Sequence, residues 1–270
     1  MTAILSALHL FPLKSGAPLR VDAATVEPRG LAGDRRWMVV DANGAFVTGR
    51  QLARLTLVEA RPDGDALRLD APGMPSLRVD APREGERVDT AVWGAAVSPL
   101  LADAAAHAWL AGFLGQPLRL VHMDDACTRK LKAKYDGRYG TDDDLVSFAD
   151  GFPLLLISQA ALDHLNAKLA APVPMLRFRP NLVVAGTTPH AEDGWKRIRI
   201  GAIEFEVAKP CTRCVFTTVD FERGERDPAG EPLRTLTTYR RSPDGVTFGQ
   251  NLIPRGRGVL RVGDAVEVLA

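Results

Sequence analysis

Cys211-Thr212-Arg213-Cys214 is the segment of this 270-residue chain whose residue types and spacing most directly suggest chemistry. Two thiols so spaced can form half of a zinc site, a redox dithiol, or the source of one thiolate for a soft transition metal. Zinc needs four ligands, typically from two paired elements. Here Cys127 stands alone, and His9, His107, His122, His164 and His190 never pair at short spacing. A thioredoxin-like dithiol sets its first cysteine at a helix N-terminus. Val215-Phe216-Thr217-Thr218-Val219-Asp220 instead predicts a strand after Cys214. A single thiolate, with the remaining ligands from elsewhere, suits the neighbouring Lys209 and Arg213, cations that favour ionised sulfur. Two buried core cysteines give the same pattern, and the segment alone leaves these readings open.

Other junctions carry basic and polar residues. Phe11-Pro12-Leu13-Lys14-Ser15-Gly16 places a Lys-Ser pair before a glycine turn, donors that suit a phosphate oxygen, although the spacing is not a P-loop. Gly33-Asp34-Arg35-Arg36-Trp37 and Leu176-Arg177-Phe178-Arg179-Pro180-Asn181 each set two arginines before a strand, and Thr48-Gly49-Arg50-Gln51 adds a further polar strand end. Loops at one rim of a β structure can converge on one anionic ligand.

Short strands must position these junctions. Ala3-Ile4-Leu5-Ser6-Ala7-Leu8 reads as a first strand: no basic region precedes it, and His9, Pro12 and Lys14 follow, which argues against a signal peptide. Asn43-Gly44 between apolar runs predicts a hairpin, because both residues tolerate positive φ. Leu67–Asp70 and Leu77–Val79 alternate around Pro72-Gly73 and predict another. Leu100, Leu101, Ala104, Ala108, Leu110 and Leu114 predict a helix ended by Gly115 and Pro117, and Ser158 predicts a helix cap ahead of Leu162, Leu165 and Leu169. Residues 124–149 read as a polar surface excursion. Leu182–Val184 and Ile198–Phe205 read as strands, the latter folding at Gly201, and Val259–Val268 reads as a hairpin centred on Gly263-Asp264. The expected class is mainly β with a few helices (α+β).

Composition narrows the partners. Lys plus Arg is 34 and Asp plus Glu is 33, so no global field points to nucleic acid or to an anionic membrane. No apolar run approaches the roughly 20 residues of a membrane span. Three cysteines, an odd and low number, argue against a disulfide framework and favour a reducing cytoplasm.

Taken in order, Lys14-Ser15, Gly33-Asp34-Arg35-Arg36-Trp37, Thr48-Gly49-Arg50-Gln51, Arg177–Asn181, Cys211–Cys214 with Thr217–Asp220, and Phe248-Gly249-Gln250-Asn251 resemble one family over nearly the whole chain. Its members join an N-terminal MOSC β-barrel to a MOSC domain, named for the molybdenum cofactor sulfurase C-terminus. They include the mitochondrial amidoxime reducing component and its bacterial counterparts. The resemblance implies a β-barrel-like MOSC N-terminal unit over residues 1–98 and a β-barrel MOSC domain over 99–270. It implies a molybdenum cofactor (Mo-molybdopterin) between them, with Cys214 as the metal ligand and catalytic residue. Lys14, Ser15, Arg35, Arg179 and Thr212 match cofactor contacts. Asn251, expected as a further cofactor contact, stands where eukaryotic relatives carry a tyrosine near the cofactor, and Phe152 where relatives have small polar residues.

The implied activity is reduction of small N-hydroxylated compounds to the amine or amidine plus water. A module that carries the cofactor or sulfur is the alternative. Some bacterial relatives carry a cysteine-rich iron–sulfur domain at the C-terminus. No cysteine follows Cys214 here, so electrons are expected from a separate iron–sulfur, flavin or cytochrome partner. The membrane anchor of the eukaryotic relatives is not expected either.

Overall fold

The computed structural model describes residues 2–131 and 139–270. Lys132, Lys134 and Asp136, part of the expected polar excursion, lie outside the described residues.

The chain is mainly strand. The largest sheet runs, in spatial order, Leu19–Val21, Ile4–Leu10, Leu182–Ala185, Leu154–Ser158, Gly245–Pro254, Ile203–Thr212, Arg197–Ile200 and Val266–Val268. Its pairings are antiparallel except Leu154–Ser158 with Leu182–Ala185. Alternation puts Ile203, Phe205 and Val207 into a core with Leu5, Leu8, Leu182, Val184 and Leu252. A second sheet pairs Leu100–Leu101, Arg119–His122, Trp37–Val40 and Phe46–Val47. Its core holds Leu13, Trp37, Val39, Leu55 and Leu120, closed by Trp109, Leu110 and Phe113 of the helix Ala104–Leu114.

Local signals set several of these elements as read. Asp41 Oδ1 accepts from the Asn43 and Ala45 amides and closes the Asn43-Gly44 hairpin. Leu77–Asp80 pairs with Ala66–Asp70. Ser158 accepts from Ala161 N and caps the helix Gln159–Asn166, which holds Leu162 and Leu165 but ends before Leu169. Among the described residues no helix is long and apolar enough to cross a membrane.

Four expectations change. Leu100 and Leu101 form a strand, because the helix starts only at its cap, where Asp103 accepts from Ala106 N. Gly258–Arg261 and Val266–Val268 do not pair with each other: the first pairs with Ala23–Glu27 and the second with Arg197–Ile200. The start of the first strand separates them, since Leu5 N donates to Asp264 O, and Leu5 O accepts from Gly263 N. After Cys214 a 3-10 turn, Val215–Thr218, precedes the strand Val219–Asp220. There the Thr217 and Thr218 hydroxyls donate back to Cys214 O and Val215 O, competing with extended pairing. Finally, Arg129, Val146, Ser147, Phe148 and Ala149 are buried, so this part of 124–149 is packed structure.

Gly249 explains one motif. It sits at φ 78°, and a Cβ there would lie 2.5 Å from Ile157 Cγ1 and 2.7 Å from the Leu156 carbonyl oxygen. Gly249→Ala should therefore destabilise by about 2–4 kcal/mol in urea unfolding, the sum of left-handed strain and overpacking. A loss under about 0.5 kcal/mol, the scale of an ordinary surface change, would contradict this assignment.

Candidate functional site

Strand ends from both sheets meet around one cavity of about 430 Å³. Lys14 and Ser15 follow the first strand, Arg35 precedes Trp37–Val40, and Arg179 precedes Leu182–Ala185. Thr212 and Cys214 stand at and beyond the end of Ile203–Thr212, and Asn251 lies on its neighbour Gly245–Pro254. All seven residues singled out from sequence thus line the same cavity.

The backbone bends sharply to achieve this. Ser15, Arg35, Trp93 and Arg179 have φ between 49° and 65°, and they are four of the five non-glycine residues at positive φ among the described residues. Such conformations cost of order 1–3 kcal/mol each and persist only where surrounding contacts enforce them. Asp34, 1% exposed, enforces one of them: Oδ1 accepts from Phe11 N at 2.8 Å and Oδ2 pairs with Arg35 at 2.5 Å. Arg35 also donates to Asn181 Oδ1, and Arg179 donates to Gly16 O at 2.7 Å. Both guanidinium groups lie within 4.4 Å of the centre of the Phe11 ring.

The lining is strongly cationic. Lys14, Arg35, Arg50, Arg177, Arg179, Lys209 and Arg213 face a single lining carboxylate, Asp150. Lys14 Nζ donates to Phe148 O at 2.7 Å and to Asp150 Oδ1 at 2.5 Å. Arg50 donates to Asp150 Oδ2 at 2.7 Å and through Nε to Cys214 Sγ at 3.2 Å. A continuous polar path therefore runs Lys14–Asp150–Arg50–Cys214. Burial lowers the Lys14 ammonium to about 8 although Asp150 opposes the shift. Burial, reinforced by Arg35, lowers Arg179 to about 9. Burial alone would raise the Asp150 carboxyl, but Lys14 and Arg50 outweigh it and hold it well below the usual carboxylate range. Burial likewise opposes the Arg50 charge, and Asp150 and Cys214 outweigh it, so its pKa is raised.

Arg179 Nη2 and Arg213 Nε are buried with no hydrogen-bond partner among the described residues. A buried unpaired donor on a cation is costly, so these atoms mark where an acceptor belongs. Excess positive charge, orphaned donors and an open volume together fit an anionic ligand of moderate size. The thiol chemistry at Cys214 adds a soft ligand to the same space.

The two cysteines differ in setting. Cys211 lies inside its strand, packs against the cluster of Phe178 and Phe248, and accepts from Arg213 Nη1 at 2.9 Å. Asn251 Nδ2 donates to Lys209 O and Pro210 O, bracing the segment just before Cys211. Phe152 is buried and lines the cavity with an apolar ring.

Sequence reading gave no role to several lining residues, Arg50, Asp150, Phe216 and Trp93 among them. Arg50 lay in a quoted motif, and Asp150 lay beside Phe152. Phe216 packs where Gly49 leaves room: a Cβ at Gly49 would collide with its ring. Trp93 had one signal, a Trp-Gly pair between short apolar runs.

Known families match two stretches of the chain. Residues 2–117 match the MOSC N-terminal beta barrel domain and residues 143–267 match the MOSC domain. Mitochondrial amidoxime-reducing component 1 of Xenopus laevis is 33% identical over 279 residues, covering 97% of this chain and 81% of that protein. The Danio rerio component 1 is 34% identical, covering 97% and 84%. Mitochondrial amidoxime reducing component 2 of Rattus norvegicus is 34% identical, covering 97% and 82%.

Lys14 gives the cavity a pH dependence. Its folded pKa lies below the ordinary value of 10.5, so its buried charge costs stability below pH 8, and that cost fades as pH rises from about 8 to 10.5. Anion binding needs the charged form and runs the other way. Sulfate, whose charge is constant over this range, should bind the apoprotein progressively more weakly above pH 8, approaching about tenfold per unit. Calorimetry at pH 7, 8, 9 and 10 on wild type and Lys14→Met checks this: the variant should bind weakly with no step near pH 8. An identical profile in both proteins would exclude Lys14.

Proposed function

The chain belongs to the family that joins a MOSC N-terminal β-barrel domain to a MOSC domain and includes the mitochondrial amidoxime-reducing components, and from this we propose a molybdenum-cofactor-dependent oxidoreductase that reduces N-hydroxylated compounds. The observation that carries the reading is the placement of Cys214 Sγ in a cavity with seven basic side chains and two orphaned cationic donors. A molybdopterin offers what this lining requires: a phosphate for the cations, a hydrogen-bonding ring system, and a metal for the thiolate.

When bound, the cofactor supplies two-electron redox chemistry. The rest is the work of this chain. Lys14 gives a point charge and Arg35 and Arg179 give planar forks, which suit a phosphate group. Ser15 and Thr212 contribute hydroxyls at the same wall. Cys214 is the residue that would hold the metal, and Arg50 holds the sulfur in place by its Nε–H contact. Asn251 fixes the strand that leads into the cysteine segment. In this reading the ligand lies between residues 1–98, which supply Lys14, Ser15, Arg35 and Arg50, and residues 99–270, which supply Arg179, Cys214 and Asn251. Reduction of an N–OH group to N–H consumes two electrons and two protons and releases water. The electrons come from a separate donor protein in this proposal.

Protein produced in a cofactor-competent host should contain about one molybdenum per chain, as one thiolate site implies. Cys214→Ser should lose the metal, and Cys211→Ser should keep it, by metal analysis. The loaded protein should reduce benzamidoxime with an artificial electron donor. Metal-free wild-type protein from such a host would overturn the proposal.

A further inference from the structure

The cavity carries an aromatic residue that none of the cofactor contacts proposed above uses. Trp93 and Gly94 are the central pair of a hairpin joining Thr90–Val92 to Ala95–Val97, in which Val92 faces Ala95. Their φ values are 52° and 86°, the pattern of a type I′ turn. Asn-Gly fills such a turn best, because an L side chain clashes with its own backbone in the left-handed region. A bulky residue at positive φ is an outlier, and outliers of this kind cluster at functional sites.

The strained residue is firmly oriented towards the cavity that it lines. Its indole Nε1 donates to Asp150 Oδ1 at 3.1 Å, and its ring meets Phe46 edge-on at 5.2 Å. The Arg50 guanidinium lies 4.7 Å from the indole ring, and Arg50 in turn touches Cys214 Sγ. Phe216 adds a second ring, 6.0 Å from the same guanidinium. Even so, Trp93 remains 43% exposed, so much of its aromatic surface is open to a ligand.

We propose that Trp93 is a specificity-determining residue that selects flat, conjugated substrates by stacking them beside Cys214. The indole already lies against one planar N–H-bearing group, the guanidinium of Arg50. An amidoxime or N-hydroxyguanidine head has the same flat shape and can stack on the open part of the indole. A hydroxylamine on a saturated carbon has no flat face and gains little. Asp150 acts through the indole, fixing its orientation by the Nε1–H contact. The substrate named rests on the reductase reading, whereas selection of flat ligands by Trp93 can be tested without it.

Holoenzymes of wild type, Trp93→Asn and Trp93→Leu should be compared on an aryl amidoxime and an N-alkylhydroxylamine. The preference for the aryl amidoxime, as a ratio of kcat/KM values, should fall about tenfold in both variants, mainly through KM, as loss of one stacking contact implies. Trp93→Asn should also melt at the same or a higher temperature, because asparagine relieves the turn. A ratio equal to wild type in either folded variant overturns the proposal, and Trp93→Leu decides alone if Trp93→Asn does not fold. If loaded wild type reduces neither compound, the reductase reading fails separately. Calorimetry of benzamide, a neutral flat probe, with the three apoproteins then decides: about tenfold weaker binding to the variants supports Trp93 as the selector, and equal binding overturns it.

Discussion

Concentrating positive charge in a partly buried cavity is the constraint around which this structure is organised. Seven basic side chains line the cavity with one carboxylate, Asp150, while Asp34, Asp220 and Asp244 pair Arg35, Arg177 and Lys209 from behind the lining. The fold answers with oxygen atoms from distant parts of the chain. Phe148 O and Asp150 hold Lys14, Gly16 O holds Arg179, and Phe178 O holds Arg213. Asp34 and Asn181 hold Arg35. Charge that is still incompletely compensated appears as the lowered pKa values of Lys14 and Arg179. A protein evolved only for stability would place apolar residues of similar volume there. Retaining the cations makes sense where an anion supplies the missing compensation.

The same constraint explains the strained backbone. Converging donors must come from strand ends, and a strand end turns into the cavity only by leaving the extended region. Ser15, Arg35 and Arg179 do so at single left-handed residues where glycine would be easier. Glycine has no side chain to offer, so the functional group and the turn must occupy one position. The neighbouring contacts, Asp34 with Phe11 N above all, hold the conformation that the residue itself disfavours.

Much of the local architecture was legible in the sequence, because its causes are local. Asn43-Gly44, Ser158 and the alternation in Ile203–Phe205 act within a few residues. The errors have non-local causes. Gly263-Asp264 reads as a hairpin because nothing nearby reveals that Leu5 takes the turn's hydrogen bonds. Phe148 reads as part of a polar excursion because the Arg35 carbonyl that accepts from its amide lies over a hundred positions away in sequence. For the site, the chemistry of each motif could be read one by one, but its assembly could not. Asp150 illustrates the limit: its neighbours in sequence say nothing of Lys14, Arg50 or Trp93, which define what it does.

The contrast between Cys211 and Cys214 follows from where the strand Ile203–Thr212 stops. Cys211 still lies in the strand, at a register irregularity between Pro210 and Thr212, and it packs against Phe178 and Phe248 while also lining the cavity. Two residues after the strand ends, Cys214 begins the 3-10 turn that Thr217 closes by donating twice to its carbonyl. That turn frees the Cys214 side chain from the sheet's alternation and sets it against Arg50, which lies in the turn after Phe46–Val47 of the other sheet. A thiol just past the strand end can meet groups from both halves of the molecule. Spacing alone could not separate the two; the position of the last ladder residue does.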